Sequence, residues 1–191
     1  MDYQSLRIAV ADYLNRLDLT DTIPSFIDLA EARLQREVRH HKGEKRSNAE
    51  ITGRFTLLPS DYLEMTRLSV VGGRVLEYVT QDRIGQMGEY PGQLRYFSIT
   101  GGNIEVADIP VEPIDVEMAY YATLPKIRDE GANWLGEIAP DAYLYGALLQ
   151  SAPYLQEDAR LESWGALYRS AVDAVNAESR AARWPGKLVM R

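Results

Sequence analysis

"ITGRFTLLPSDYLEMTRLSVV", Ile51 to Val71, decides how this chain is read. It is rich in β-branched residues and carries Pro59 in its middle, so it predicts short strands around a turn. The stretches that enclose it behave differently. Upstream, Tyr3, Leu6, Val10, Tyr13, Leu14 and Leu17 recur at helical spacing, with Arg7, Asp12, Asn15 and Arg16 on the remaining face. After a polar break at Asp18 to Thr22, Pro24 stands where a helix can begin. Asp28 and Glu31 follow near its positive end. Phe26, Ile27, Ala30, Leu34 and Val38 form its apolar stripe, which fades into "HHKGEKRSN" at His40 to Asn48.

Downstream of the quoted stretch the hairpin signals multiply. Gly72-Gly73 lies between Val70-Val71 and Val75-Leu76, and Thr100 to Asn103, with Gly101-Gly102, lies between Phe97 to Ile99 and Ile104 to Val106. Gly85, Gly88, Pro91 and Gly92 mark a loop-rich passage, and Val116 to Thr123 returns a strand. Helical period resumes at Pro140, with Tyr143, Leu144, Ala147, Leu148, Ala152 and Leu155 on one face. Pro153 ends or kinks that helix by removing a backbone donor. Asp158 can cap a last helix striped by Leu161, Trp164, Tyr168, Ala171, Val172 and Val175.

Two helices, a β-rich middle and two more helices predict an α+β fold. The terminal segments are expected to pack as a four-helix bundle, with the β-rich insertion in the middle. The corresponding boundaries are 1–48 and 128–182 for the bundle helices, 49–127 for the insertion, and 183–191 for an extended C-terminal tail. No repeat and no low-complexity segment interrupts this order.

The chain has 191 residues, enough for one domain or a domain with an insertion. Cysteine is absent, which removes disulfides and thiolate metal sites and fits a reducing cytoplasm. No apolar run approaches the roughly 20 residues that span a bilayer, and Met1 to Ser5 lacks a signal-peptide layout. The expectation is therefore a soluble protein. Its net charge of -7 argues against a nucleic-acid packaging factor, because phosphate binding rests on cationic faces.

Catalytic groups are sparse. His40 and His41 are the two histidines, and adjacent helical residues point in different directions, so they are read as a solvated helix end and not as a metal face. No phosphate-binding glycine motif occurs. Glu31, Glu37, Asp61 and Glu64 can be nominated as paired carboxylates, but Glu31 with Arg33 and Arg36 with Glu37 read more naturally as surface ion pairs. Charge is nevertheless patterned. Arg33, Arg36, Arg39, Lys42, Lys45 and Arg46 form a basic elbow, and Glu105, Asp108, Glu112, Asp115 and Glu117 form an acidic strand region. Between copies, that pattern would make a head-to-tail contact able to close into a ring. Trp184, Leu188, Val189 and Met190, set among cations, are poor composition for a solvated tail and point to a partner groove.

Four segments, "IPSFIDLAEARLQREVR" (Ile23 to Arg39), "LPSDYLEMTRLSV" (Leu58 to Val70), "AYYATLPKI" (Ala119 to Ile127) and "NWLGEIAPDAYLYGALLQSAPYLQED" (Asn133 to Asp158), occur in this order. Together they resemble the head-to-tail adaptor proteins of tailed bacteriophages, also called connector or tail tubular proteins, best known from short-tailed phages. The resemblance implies a structural virion protein of the neck, made in the host cytoplasm and with no enzymatic activity or cofactor. It implies a homo-oligomeric ring, a dodecamer, below the portal protein, often monomeric until the portal templates it. Such a ring extends the DNA channel used in ejection and anchors tail nozzle and tail fibre proteins, while genomic DNA passes without specific binding and no membrane is involved. Trp184, Leu188, Val189 and Met190 would then be the portal-docking tail. The alternative is a virion-associated cell-wall hydrolase.

Overall fold

A computed structural model describes residues 1–87, 94–155 and 159–183. The helices among them are α1 (Tyr3–Leu14), α2 (Ile23–Glu37), α3 (Gln81–Gln86), α4 (Ile127–Glu130), α5 (Trp134–Ile138), α6 (Pro140–Gln150) and α7 (Arg160–Arg183). The strands are β1 (Glu44–Ile51), β2 (Phe55–Leu57), β3 (Tyr62–Val70), β4 (Glu77–Tyr78), β5 (Tyr96–Thr100), β6 (Asn103–Val106) and β7 (Ile114–Ala122). The chain divides into a helical unit, Met1–Gly43 with Leu124–Arg191, and a β unit, Glu44–Thr123.

In the helical unit, local chemistry sets the ends of the helices. The Asp2 carboxylate caps α1 by accepting from the Ser5 N–H at 2.8 Å, and Asn15 stops it in the left-handed region at φ 50°. Pro24 and Pro140 occupy the first turns of α2 and α6, where a missing N–H costs nothing. Asn133 caps α5 by accepting from the Gly136 N–H at 2.9 Å.

The expected four-helix bundle does not form. The helical unit holds six α-helices among the described residues, α4 and α5 being only 4 and 5 residues long. Its long helices are not four equal partners around a shared axis. The 11-residue α6 packs against α1, α2 and α7, and α1 and α7 make no extensive contact with each other. The physical reason lies in α6 itself. Ala142, Tyr143, Leu144, Gly146, Ala147 and Leu148 are all buried, an arc of about 240° around the axis, so the helix needs cover from several neighbours at once. Water reaches this helix along the narrow stripe of Asp141, Tyr145 and Leu149. The buried apolar surface belongs to the core of the helical unit.

Gly146 shows how closely the cover fits. A Cβ there would stand 3.2 Å from Tyr168 Cε2 on α7 and 3.3 Å from Ala30 Cβ on α2. Three helices converge at that point because the side chain is absent.

The β unit pairs two sheets. One has the order β1-β7-β3 and the other β2-β6-β5-β4. Every pairing is antiparallel except that of β4 with β5. Register separates two faces of the first sheet. Val116 and Met118 stand level with Leu68, Val70 and Ala49 on the apolar side, where Ile51, Phe97, Ile104 and Val106 complete the core. Asp115 and Glu117 stand level with Glu50, Asn48 and Ser69 on the other side. The two glycine pairs are turns, as their composition predicts. Gly72 has φ 67°, and Gly101 and Gly102 have φ 55° and 83° between β5 and β6. The loop-rich passage contains the short helix α3, and residues 88–93 lie outside the described residues.

Replacing Gly146 by Val should cost about 1–3 kcal/mol of stability through overpacking. Urea unfolding checks it, and a variant as stable as the parent would contradict the close convergence of α2, α6 and α7.

Candidate functional site

The nominated carboxylates come first. Glu31 is not a surface ion pair: it is buried, 6% exposed, on the inner face of α2. Its Oε1 accepts from the Tyr143 hydroxyl at 2.8 Å, the Ile127 N–H at 2.9 Å and Asn133 Nδ2 at 3.4 Å. Asn133 Nδ2 also lies 2.6 Å from the Tyr143 hydroxyl and donates to the Pro125 carbonyl at 2.7 Å. This node ties α2, the start of α4, α5 and α6 together. Burial pushes the Glu31 carboxyl above its ordinary value of 4.5, against the hydrogen bonds from Ile127 and Tyr143. Burial likewise raises the Tyr143 hydroxyl.

Glu37 pairs with Arg33 at 2.8 Å, one helical turn away, and not with its neighbour Arg36. Its second oxygen accepts from the Tyr168 hydroxyl at 2.8 Å, and the Arg33 guanidinium lies 4.3 Å from the centre of the Tyr168 ring. These contacts latch α2 to α7. Asp61 accepts from Lys45 at 2.6 Å and from the Tyr120 hydroxyl at 2.9 Å. The Lys45 ammonium holds the Asp61 carboxyl below its ordinary value, and burial raises the Tyr120 hydroxyl to about 12. Glu31, Glu37 and Asp61 are thus each held by structural partners. Glu64 lies exposed on β3.

The histidines also differ from expectation. His40 is not solvated: its side chain is 0% exposed. It stacks on Trp134 at 5.5 Å, and its Nδ1 accepts from the Lys42 N–H at 3.2 Å. Burial, then the neighbouring His41, depresses its pKa. The chain turns tightly here because α7 holds it. Asn176 Oδ1 accepts from the Arg39 N–H at 2.9 Å, Asn176 Nδ2 donates to the Glu37 carbonyl at 3.0 Å, and Ser179 Oγ accepts from the His41 N–H at 3.0 Å. Sequence pattern gave no sign of this latch, since Asn176 and Ser179 look like ordinary polar positions of an amphipathic helix. Among the described residues no group of three or more His, Cys, Asp or Glu could hold a metal ion.

The charged patches are part engaged and part open. Glu117 draws in Arg67 at 3.1 Å and Arg46 at 3.5 Å, and Arg54 holds the buried Glu105 at 2.9 Å. Asp108 is buried as well. Arg39 donates to the Gln35 and Val38 carbonyls at 2.9 and 2.8 Å. Arg33 and Lys45 have the partners already described. Arg36 and Lys42 on the elbow, and Glu112 and Asp115 on the acidic stretch, are exposed and make no ion pair among the described residues. Trp184, Leu188, Val189 and Met190 lie outside the described residues, as does Asp158.

With these surfaces in view, a model of the family described as "SU10 adaptor protein" matches residues 1–191. The chain belongs to this family of phage adaptor proteins. An adaptor of this kind is a structural component of the virion that interacts with other virion proteins. No curated protein matches the chain. No helix among the described residues is long and apolar enough to cross a membrane.

The Glu31 node makes a pH prediction. The unfolded chain releases the Glu31 proton near 4.5, whereas the folded adaptor holds it to higher pH. The folded state therefore binds more protons in that window, and this group's contribution to stability falls as pH rises through it. Glu31→Gln should flatten that part of the fall, measured by urea unfolding across a pH series. Identical pH profiles for the two proteins would refute the assignment.

Proposed function

We propose that this adaptor works as a ring of copies, twelve in number, seated below the portal of a short-tailed phage. In this reading it extends the DNA channel and offers a platform to tail nozzle and tail fibre proteins. The observation that carries the reading is the match of the adaptor family over the whole chain. The open charges support it. Arg36 and Lys42 on one copy can meet Glu112 and Asp115 on the next, a heterologous contact that closes when its rotation permits. Charge pairs of this kind set register and encounter rate more than raw affinity.

The net charge suits a conduit. Twelve copies at -7 carry 12 × (-7) = -84 formally. A lumen sharing that sign repels phosphate, so DNA slides past it without being gripped.

Mixing the protein with the portal of the same phage and imaging the product should reveal an added annulus; components that stay separate at high concentration would sink the proposal. Within that assay, reversing Arg36 and Lys42 to Glu should abolish the annulus, and adding Glu112→Lys and Asp115→Lys should restore it. Raising salt should weaken the parent assembly, because exposed charges are screened beyond about 10 Å at 0.1 M ionic strength.

A further inference from the structure

A buried histidine closes the turn that follows α2. The Gly43 N–H donates to the His40 carbonyl at 2.9 Å, and His41–Gly43 form a single helical turn. The His40 ring supplies a second tie, its Nδ1 accepting from the Lys42 N–H at 3.2 Å. Trp134 of α5 holds both ends of this turn. His40 stacks on its ring at 5.5 Å, and a Cβ at Gly43 would stand 3.1 Å from Trp134 Cζ2. Asn176 and Ser179 of α7 accept from the Arg39 and His41 N–H groups on either side of His40.

This arrangement decides where the imidazole hydrogen sits. A neutral imidazole has one donor nitrogen and one acceptor. Nδ1 is the acceptor here, so Nε2 carries the hydrogen. Nε2 is buried and has no hydrogen-bond partner. Glu178 Oε1 of α7 stands 4.0 Å from it, beyond hydrogen-bond reach.

A second proton can go only to Nδ1, the atom at which the Lys42 N–H already points. The charged ring would then set two N–H groups face to face and place a cation in a site closed to water. His41, whose ring centre lies 4.1 Å away, and Lys42 in its own segment oppose that charge, as does Arg183 of α7. Glu178 favours it but is 66% exposed, so water weakens its pull. The Trp134 face attracts a cation, yet it restores neither the lost acceptor nor the lost hydration.

We propose that His40 is an acid-sensitive switch: neutral, it holds the turn of residues 40–43 closed; protonated, it releases the Lys42 N–H and leaves its place on Trp134. In the open turn the ring meets water and takes up its proton near the ordinary value of 6.5. The closed turn binds that proton less well, so opening becomes more favourable as pH falls below that value. Lys42 belongs to the basic elbow, and its backbone loses a fixed position when the turn opens. The inference does not depend on the ring reading.

NMR of the full chain tests it, following amide exchange and the histidine ring signals between about pH 8 and about pH 5, the range in which histidine charges. Rates are corrected for the intrinsic effect of pH on exchange. At the alkaline end the His40 ring should carry its hydrogen on Nε2. As the ring protonates, with a midpoint below 6.5, the Lys42 N–H should lose protection in step, while the Ala147 N–H of the buried helix α6 keeps its own. His41→Gln should retain this response. His40→Asn has a side-chain oxygen that accepts but does not titrate, and should abolish it. Should His40→Asn fold poorly, the parent and His41→Gln titrations decide the matter alone. A Lys42 N–H that stays protected through the His40 titration overturns the inference. So does a loss of protection shared by Ala147, which would be global unfolding, or a response that vanishes in His41→Gln.

Discussion

The helical unit depends on one constraint: α6 is apolar and buried over most of its circumference. Its six buried residues, from Ala142 to Leu148, cover an arc of about 240° around the axis and leave the stripe of Asp141, Tyr145 and Leu149 toward water. Burying apolar surface contributes about 25 cal/mol per Å², so the favourable arrangement is the one that covers the most of it. α1, α2 and α7 therefore gather around α6. Gly146 lets α2 and α7 approach at the same level.

That arrangement brings polar groups inside, and each must then be satisfied. Glu31 is carried inward by α2 and is met by Tyr143, Asn133 and the Ile127 N–H. The same residues fix the short helices α4 and α5 against α6. At the other end of α2, Asn176 and Ser179 of α7 bond the Glu37 carbonyl and the Arg39 and His41 N–H groups. The chain then passes through Gly43 into β1. Core and latch together hold the chain from Arg33 to Lys42 in a defined shape. Pre-organised contact residues lose less entropy on association.

The β unit divides its labour by pleat. Strand alternation sends one set of side chains to the apolar core and the other to a charged face where Arg46, Arg67 and Glu117 meet. Opposite charges on one chain can neutralise one another before any partner arrives. Glu105, Glu117, Arg33 and Lys45 are occupied in that way, whereas Arg36, Lys42, Glu112 and Asp115 make no ion pair among the described residues.

Much of this was legible in the sequence, for stated local reasons. Period 3.6 marked α1, α2, α6 and α7; paired glycines marked the turns; Pro24 and Pro140 marked helix starts. These signals depend on neighbours a few residues apart, so sequence alone determines them. The order of segments also carried the resemblance to phage adaptors. Tertiary structure decided the rest. Whether Glu31 meets Arg33 or Tyr143, 112 residues away, whether His40 is wet or stacked on Trp134, and whether α6 is one of four bundle helices or the element the others cover all depend on contacts between distant parts of the chain. Helical period says which residues share a face, but not what that face meets; only the packing of α1, α2 and α7 around α6 settled that.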